Sequence, residues 1–365
     1  MRILVTVPWA ERLGGAEAML QTILDGAPAA GHEMELAFLQ EGPWAQELRE
    51  AGFRVDVLAA GRLRQAHRWC ATVLGLARLI RQRRPDVILN WSAKTQLYGA
   101  PAAILARMSD RVVWWQQMIP DGHWVDMAAT LLPAARIGCY SQAASRAQAR
   151  MRPRRATFVV GAGTAAPAAT TTPVPLSLPT GVPVVGIVGR LQPWKGQDRL
   201  LRAQRLLRDR GIPLHVVIVG GDSYALSPQY AASLAPLAYE LGLAEAVTMT
   251  GEVPDAGPYI ERFDVLVNAS DPEPFGIVIL EGMARGVAVV AVDSGGPSEF
   301  VEHRRTGMLA RSGAPEALAD AIEPLLESAQ LRSQLAAAGR ERYSAEFTDA
   351  AMRRRFFAEL QAVSG

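Results

Sequence analysis

The segment "DVLVNASDPEPFGIVILEGMARG" (residues 264–286) joins a β-branched run to a longer apolar run through a loop with two prolines. This pattern predicts a strand over 264–270 and, after the loop, a helix that begins at about Phe275. Glu273 then lies just before the helix, and Glu281 lies near its second turn. The segment therefore predicts a strand–loop–helix unit with one carboxylate on each side of the helix N-terminus.

The same alternation of short strands and longer helices extends over the chain in both directions. Strands are predicted at 2–7, 33–39, 54–58, 86–90, 111–115, 135–140, 156–160, 182–189, 214–221, 246–251, 264–270, 287–292 and 307–310. Helical stretches lie between these strands, such as 16–30, 66–83 and 141–149 in the first half, and helices are predicted at 196–210, 228–242, 275–285, 315–328, 331–343 and 350–363 in the second half. Such alternation is typical of an α/β protein with parallel sheets covered by helices on both faces.

A change in composition divides the chain into two domains. The segment "AAPAATTTPVPLSLPTGVP" (165–183) has no charged residue and is rich in Pro, Thr and Ala. We therefore expect a first doubly wound, Rossmann-like domain over 1–165, a linker over 166–182 and a second such domain over 183–345, followed by a C-terminal helix over 346–365. Two such domains facing each other would enclose an interdomain cleft.

Composition limits the class of protein. The chain has 365 residues, of which 49% are hydrophobic and 20% charged, so it is expected to be globular. Its formal net charge of +2 does not indicate nucleic-acid binding, and two cysteines, Cys70 and Cys139, form no disulfide framework. No apolar run reaches the roughly 20 residues of a membrane span. A cytoplasmic protein is expected.

Two loops carry residues suited to anions. Gly14 and Gly15 lead from the first strand into a helix, which is either a phosphate-binding turn or an ordinary tight turn. The matching loop of the second domain, "GRLQPWKG", holds Arg190 and Lys195. These two cations would suit a diphosphate, although solvated surface cations are the alternative.

The two glutamates suggest recognition of sugar hydroxyls. A carboxylate accepts two hydrogen bonds, so Glu273 and Glu281 could each bind a vicinal diol. A sugar nucleotide has a diol at each end and a diphosphate between, which the first N–H groups of the helix could bind. The alternatives are a partner of the helix dipole for Glu273 and a solvated helix residue for Glu281.

The chain resembles family 4 of the retaining glycosyltransferases, which have the GT-B fold. The spacing of Glu273 and Glu281 matches the E-x7-E motif of that family. Further matching pieces are "GGAE" (14–17), "GRLQPWKG" (189–196), "GEVPD" (251–255), "GVAVVAVDSGGPSEFV" (286–301) and "TGMLA" (306–310).

This resemblance implies roles for individual residues. Arg190 and Lys195 would neutralise the donor diphosphate, Glu273 would contact the donor sugar and Glu281 the ribose. Further donor contacts are implied at Gly14, Gly15, Glu252, Val253, Pro274, Phe275, Gly276 and Ile277. The first domain would bind the acceptor, and the C-terminal helix would cross back onto it. No metal or other cofactor is expected, since the sequence has no Asp-x-Asp.

One departure from the family concerns a histidine near the reacting sugar. The corresponding loop here is "WWQQMIPDGHW", which has Gln117, or Gln116, at the aligned place. Glutamine cannot accept a proton at neutral pH, so either His123 serves instead or the role is limited to hydrogen bonding.

Two features of the first domain concern its partners. Basic stretches at 78–85 and 145–156 are either solvated faces or contacts with an anionic acceptor or a membrane surface. Trp114, Trp115 and Trp124 flank the presumed acceptor loop, as sugar-stacking platforms or as core residues.

The predicted function is a metal-independent, retaining transfer of a hexosyl unit. The donor would be a nucleoside diphosphate sugar, UDP- rather than GDP-linked, and the acceptor a hydroxyl of a glycan, a lipid-linked sugar or a natural product. The alternative is a catalytically silent sugar-nucleotide-binding protein of the same fold.

Overall fold

The computed structural model describes residues 1–12, 14–61, 65–151, 156–167, 174–222 and 225–364. Part of the predicted linker, 168–173, lies outside these residues. Contacts divide the chain into two units: unit 1 comprises Met1–Ala162 with Asp349–Gly365, and unit 2 comprises Gly163–Thr348.

Unit 1 is built around a parallel sheet. Its strands are β1 (Arg2–Val7), β2 (Glu33–Phe38), β3 (Arg54–Val57), β4 (Val87–Asn90), β5 (Val112–Gln116), β6 (Arg136–Cys139) and β7 (Thr157–Val159). In the described residues they form one seven-stranded sheet of order β3-β2-β1-β4-β5-β6-β7, with every pair parallel. The helices between them are α1 (Gly15–Gly26), α2 (Pro43–Glu50), α3 (Ala66–Arg83), α4 (Ala93–Ala106), α5 (Trp124–Leu131) and α6 (Gln142–Arg150).

Unit 2 repeats this arrangement with fewer strands. Its strands are β8 (Val184–Val188), β9 (His215–Val219), β10 (Val247–Met249), β11 (Val265–Asn268), β12 (Ala288–Val292) and β13 (Met308–Ala310). The described residues form a six-stranded parallel sheet of order β10-β9-β8-β11-β12-β13. Its helices are α7 (Gln197–Asp209), α8 (Pro228–Glu240), α9 (Gly257–Ile260), α10 (Ile277–Ala284), α11 (Pro315–Glu327) and α12 (Ala329–Glu346).

The last helix, α13 (Asp349–Ser364), belongs to unit 1 although it follows unit 2 in the chain. Its Phe356 is fully buried and packs edge-on against Trp91 and Trp115, with ring centroids 6.3 and 5.4 Å away. Trp114 and Trp115 are fully buried, so they are core residues and not platforms for a sugar. Trp124, at the start of α5, is 55% exposed.

The strand order determines where a ligand can bind in each unit. In both sheets the order reverses beside the first strand, between β1 and β4 in unit 1 and between β8 and β11 in unit 2. In open α/β sheets the carboxyl ends of the strands at such a reversal form a binding crevice. Within the described part of the chain, no helix is long and apolar enough to cross a membrane.

Candidate functional site

Two loops meet at the carboxyl ends of β8 and β11 in unit 2. These strands are neighbours, with Val185 paired to Val265. The loops after them are joined directly, because the Asp271 N–H donates to the Trp194 carbonyl at 3.0 Å. Residues that lie about 80 positions apart in the sequence are therefore held side by side.

A buried ion pair lies where these loops meet. Lys195 Nζ is 2.9 Å from Glu273 Oε2, and the two side chains are only 19% and 7% exposed. The Lys195 ammonium also lies 4.0 Å from the centroid of the Trp194 ring. The structure thus brings together two residues predicted to act on opposite ends of the reacting bond.

The surroundings of Glu273 keep it ionised. Burial alone raises the pKa of its carboxyl, but the Lys195 ammonium and hydrogen bonds from Ser270 and Asn268 outweigh burial and hold the pKa below its ordinary value. The Asn268 amide donates to Glu273 Oε2 at 3.3 Å. Glu273 is therefore a fixed negative charge and not a proton donor at neutral pH.

Arg199 supports this pair, a role that sequence reasoning did not predict. Its guanidinium donates to the Trp194 carbonyl at 2.9 Å and lies 3.9 Å from the Asp271 carboxylate. It therefore connects the two loops from outside the ion pair. No spacing in the sequence relates Arg199 to Asp271, whereas Asn268 could have been suspected because it ends the strand before Glu273.

The helix beside Glu273 begins two residues later than predicted, at Ile277 and not at about Phe275. Gly276 precedes it in the left-handed region, with φ 97°, which breaks the helix at that point. Because Gly276 is the N-cap residue, it has no side chain to cap the first turn. Phe275 is buried in a stack with Phe300, 4.9 Å between centroids, so it anchors the turn in the core.

A second glycine allows the loop after β12 to approach this turn. Gly296 donates its N–H to the Glu273 carbonyl at 2.8 Å, and a Cβ at Gly296 would lie 2.5 Å from the Pro274 carbonyl oxygen. Pro274 itself is buried. Any side chain at Gly296 would therefore displace the backbone that carries Glu273.

Arg190 is half-buried at the end of β8. Its backbone carbonyl accepts a hydrogen bond from the Gln197 amide at 2.9 Å, which fixes the loop. Among the described residues the Arg190 guanidinium has no hydrogen bond or ion pair. Its charge is therefore available to an anion, whereas Lys195 already has Glu273 as a partner.

Glu281 lies at a cavity of about 320 Å³ within unit 2. Burial raises the pKa of its carboxyl to about 7; the nearby Arg285 opposes this effect and Asp255 adds to it. The cavity is lined by residues 164–167, residues 254–257, Glu281 and Arg285. Thr164 is fixed there by hydrogen bonds with the Tyr343 hydroxyl (2.8 Å) and the Phe347 carbonyl (3.2 Å).

Among the lining residues that were not predicted from the sequence, Arg285 and Asp255 are charged. Arg285 follows Glu281 by one helical turn, a spacing that could have indicated it. Asp255 ends the "GEVPD" motif, whose Glu252 and Val253 are not among the lining residues; Glu252 is exposed. Within the described residues, no group of three or more His, Cys, Asp and Glu side chains could hold a metal ion.

In unit 1, Gly14 and Gly15 form the start of α1. Gly15 is its first residue, and the Gly14 carbonyl accepts from the Ala18 N–H at 3.0 Å. Gly14 has an extended backbone, no side chain caps the helix, and both glycines are exposed. The turn leaves backbone accessible at the carboxyl edge of β1.

The two candidate glutamines after Trp115 differ in their surroundings. Gln116 is buried, and its amide donates to Asp126 at 3.0 Å and to Gln148 at 3.3 Å, which ties α5 to α6. Gln117 is half-buried at the edge of the sheet and donates to the Trp91 carbonyl. Gln116 is thus committed to the packing of unit 1, and Gln117 is the one at the edge.

His123 lies in the exposed loop before α5. Its Nδ1 accepts a hydrogen bond from the Val125 N–H at 3.4 Å, so the side chain caps this helix. The backbone N–H of His123 donates to the Asp121 carboxylate at 2.9 Å. The cap occupies one ring nitrogen, and Nε2 has no hydrogen bond among the described residues.

The basic stretches of unit 1 contain both ion-paired and exposed arginines. Arg83 forms ion pairs with Glu35 and Asp56. Arg78, Arg146 and Arg150 are exposed, whereas Arg152, Arg154 and Arg155 lie outside the described residues.

The fold of the chain is that of known two-domain glycosyltransferases. Anabaena Alr3699/HepE, solved in complex with UDP, superposes with a TM-score of 0.83 over 99% of this chain and 100% of that one, at 24% identity. A sucrose-phosphate synthase from Thermosynechococcus elongatus gives a TM-score of 0.78 over 99% and 98%, at 21% identity. Two Rossmann-like sheets of this kind define the GT-B fold.

Family models then identify the group within that fold. "Glycosyl transferase 4-like domain" matches residues 14–160, and "Glycosyl transferases group 1" matches residues 170–342. The chain belongs to the GT-B glycosyltransferases of the family 4 type.

Individual relatives match only part of the chain. The D-inositol 3-phosphate glycosyltransferase of Nocardia farcinica is 41% identical over 155 residues, 41% of this chain. A GDP-mannose-dependent alpha-(1-6)-phosphatidylinositol monomannoside mannosyltransferase of Mycobacterium tuberculosis is 36% identical over 174 residues, 45% of this chain. The chain spans less than half the length of these relatives, 34% of the first and 44% of the second.

Proposed function

We propose that this protein is a retaining glycosyltransferase that moves a hexosyl unit from a nucleoside diphosphate sugar to a hydroxyl acceptor. The observation that carries the proposal is the buried Lys195–Glu273 ion pair beside the uncapped first turn of α10, with the Glu281 cavity one turn further along the same helix. A carboxylate for the hexose, a cation for the diphosphate and a second carboxylate for the ribose would match the order of groups in a sugar nucleotide.

The donor would lie along the edge of unit 2. Its ribose would bind Glu281 in the cavity, its diphosphate would bind Arg190, Lys195 and the N–H groups at Ile277, and its hexose would contact Glu273. Gly276 and the backbone of Phe275 would leave room for the sugar and phosphate.

We infer that the base is uracil. In support, Alr3699/HepE has been solved with UDP-glucose and matches 99% of this chain. The GDP-mannose-dependent mannosyltransferase, 36% identical over 45% of this chain, makes guanine the alternative to be tested. A titration of UDP against GDP tests this choice, and tighter binding of GDP would reject it.

The chemistry would proceed on one face of the hexose. The bond between the anomeric carbon and the phosphate oxygen breaks, the acceptor oxygen bonds to that carbon, and the hydroxyl proton passes to the leaving phosphate. Lys195 and Arg190 stabilise the charge gained by the diphosphate. Glu273, kept ionised, would stabilise the positive charge that develops on the sugar.

Residues of unit 1 would complete the reaction. Gly14 and Gly15 would offer backbone to the donor phosphate, and Gln117 would hydrogen-bond a hydroxyl at the place where the family has histidine. His123 is the alternative for this last role, through its free Nε2. Measuring the rate of glycosyl transfer by Gln117→Ala and His123→Ala tests the assignment. A larger loss of rate in His123→Ala would assign the role to His123.

The acceptor would be a hydroxyl of a glycan, a lipid-linked sugar or a natural product. The exposed arginines Arg78, Arg146 and Arg150 would favour contact with an anionic membrane surface. Co-sedimentation with vesicles containing anionic lipid tests this contact, and equal binding to neutral vesicles would exclude the electrostatic role.

The decisive experiment is incubation with UDP-hexoses and analysis of the anomeric configuration of the product by NMR. Transfer, or slow hydrolysis, that retains the α configuration supports the proposal, and inversion contradicts it. The glutamine at the histidine place favours one other candidate, a silent sugar-nucleotide-binding protein. That protein would bind UDP-hexose without any turnover.

A further inference from the structure

Lysine is rare in this chain, and its two occurrences are both in distinctive places. Of 38 basic residues, only Lys94 and Lys195 are lysine, and the others are arginine. Lysine is a compact point charge with three rotatable donors, whereas arginine presents a planar fork. A chain that otherwise uses arginine throughout therefore has lysine at two positions where the difference can matter.

Both lysines lie at a strand-order reversal. Lys195 follows β8, at the reversal of unit 2. Lys94 is the second residue of α4, directly after β4, and Trp9 follows β1 by two residues; β1 and β4 are the strands at the reversal of unit 1. This is the general location of ligand crevices in open α/β sheets.

The two lysines share an aromatic neighbour and differ in a carboxylate partner. Lys195 Nζ lies 4.0 Å from the Trp194 ring centroid, and Lys94 Nζ lies 3.9 Å from that of Trp9. Lys195 has Glu273 at 2.9 Å, but Lys94 has no carboxylate partner in the part of the chain that the structure describes. Lys94 is half-buried, and burial lowers its pKa. A half-buried cation without a counter-charge is unfavourable unless a ligand supplies the charge.

The start of α4 is held rigidly. The Thr6 hydroxyl in β1 donates to the Asn90 side chain in β4 at 2.7 Å, and the Asn90 amide donates to Gln96 in α4 at 2.7 Å. The network is buried, and Gly99 leaves room for it, since a Cβ there would lie 1.9 Å from Asn90 Oδ1. Lys94 is thus on a fixed element, as a binding residue needs to be.

We propose that unit 1 contains a binding site for a phosphate group of the acceptor, formed by the Lys94 ammonium against the face of Trp9. The term acceptor rests on the proposed function, but the phosphate site does not. A cation that only covered a tryptophan could equally be arginine, which stacks more often on aromatic rings. A compact ammonium is instead suited to the tetrahedral oxygens of phosphate. One relative carries D-inositol 3-phosphate in its name, which accords with a phosphorylated acceptor.

The test uses the full chain saturated with UDP, so that the cations of unit 2 are already occupied. Inorganic phosphate, a hexose 6-phosphate and the same hexose without phosphate are titrated calorimetrically. We expect both phosphates to bind and Lys94→Met to weaken them by about tenfold or more, as for loss of a charged hydrogen bond. Arg354→Gln removes an exposed charge of unit 1 that has no proposed role, and this variant should bind both phosphates as the parent does.

Two results would show that phosphate does not bind at Lys94: equal phosphate affinity in the parent and Lys94→Met, or displacement of UDP by phosphate. Two others would show that the site does not select phosphate. These are equal affinity for the hexose without phosphate, or tighter binding of a hexuronic acid than of the hexose 6-phosphate, which would indicate a carboxylate site. If Lys94→Met does not fold, acetylation of the parent replaces it. Phosphate should then slow modification of Lys94 in the UDP complex, read by peptide mass spectrometry, and an unchanged rate excludes the site. Failure of the parent to turn over UDP-hexose would reject the proposed function but leave this binding test valid.

Discussion

At the scale of single residues, Glu273 combines burial with a retained negative charge. Its carboxylate is held by Lys195, Asn268 and Ser270, so the protein itself fixes the position of the charge. Such preorganised charge is effective because it needs no rearrangement in the transition state.

Glu273→Gln tests this role. Glutamine keeps the shape and removes the charge, so we expect kcat to fall by about a hundredfold or more while the KM for UDP-hexose changes little. Steady-state kinetics measure both, and UDP titration checks that the site is intact. An unchanged kcat would show that Glu273 does not act on the reacting sugar.

Glu281 predicts a pH dependence of donor binding. Its pKa is raised to about 7, so it is mostly neutral below that pH and ionised above it. In the proposed complex the carboxylate would accept two ribose hydrogen bonds and the neutral acid fewer, so affinity for UDP-hexose should rise as the pH increases from about 6 to 8. The diphosphate of UDP-hexose does not titrate in this range.

Glu281→Gln is the matched control for this effect. It should bind UDP-hexose about tenfold more weakly at the higher pH and show a flat pH profile, since its amide does not titrate. Calorimetric titrations at several pH values measure this difference. If the variant keeps the slope of the parent, another group is responsible.

Arg190 and Lys195 predict that catalysis does not require a metal ion. They supply positive charge from fixed positions, so transfer should continue in excess EDTA. Arg190→Ala and Lys195→Ala should each lose about 2–4 kcal/mol of transition-state stabilisation, as for removal of one such donor. Added magnesium should rescue neither variant. Activity that disappears in EDTA and returns with magnesium or manganese would refute this assignment.

At the scale of elements, α10 owes its position to Gly276. Gly276 has a φ of 97°, which other residues rarely adopt. A Cβ at this position would also lie 2.7 Å from Ile279 Cδ1 and 3.4 Å from Glu273 Cγ. Gly276→Ala should therefore lower the free energy of unfolding by roughly 1–2 kcal/mol through backbone strain and also weaken UDP binding. Urea unfolding and UDP titration measure the two effects.

Gly211 provides the control for Gly276. It has a similar φ of 82°, follows α7, and has no atom within 4 Å of a built Cβ. Gly211→Ala should lose a similar stability and keep its affinity for UDP. Equal loss of UDP affinity in both variants would mean that strain, and not the position of α10, weakens binding.

The sequence predicted the strands well because they are short, buried and β-branched. It did not predict α4, whose residues are buried on nearly every side and include Gly99 and Pro101, so it lacks an amphipathic period. Exposed Trp124 and Met127 hide the period of α5 in the same way.

The candidate site was predictable only where it is local in the chain. Glu273 and Glu281 share one segment, and both were identified from it. Their environment could not be predicted, because the ion pair of Glu273 with Lys195 joins residues 78 positions apart. That Lys94 has no carboxylate partner among the described residues likewise depends on which residues the fold places around it.

At the scale of the whole molecule, the chain leaves unit 1 and returns to it. Unit 2 ends at Thr348, and α13 supplies unit 1 with core residues from the far end of the sequence. Two aromatic residues on either side of this boundary are therefore assigned to different cores. Phe347 packs against Phe300 in unit 2, with centroids 5.4 Å apart, and Phe356 packs against Trp115 in unit 1, also at 5.4 Å.

This assignment predicts that substitutions at Phe347 and Phe356 destabilise different units. Phe356→Ala and Phe347→Ala each remove a buried ring and should cost about 3–5 kcal/mol. Because each ring belongs to one core, Phe356→Ala should reduce hydrogen-exchange protection in β4 and β5, and Phe347→Ala should reduce it in α12 and around Phe300. Exchange measured by mass spectrometry separates these segments, and each variant is the control for the other. If either substitution lowers protection equally in both units, the two cores do not unfold separately and the division at Thr348 has no energetic meaning.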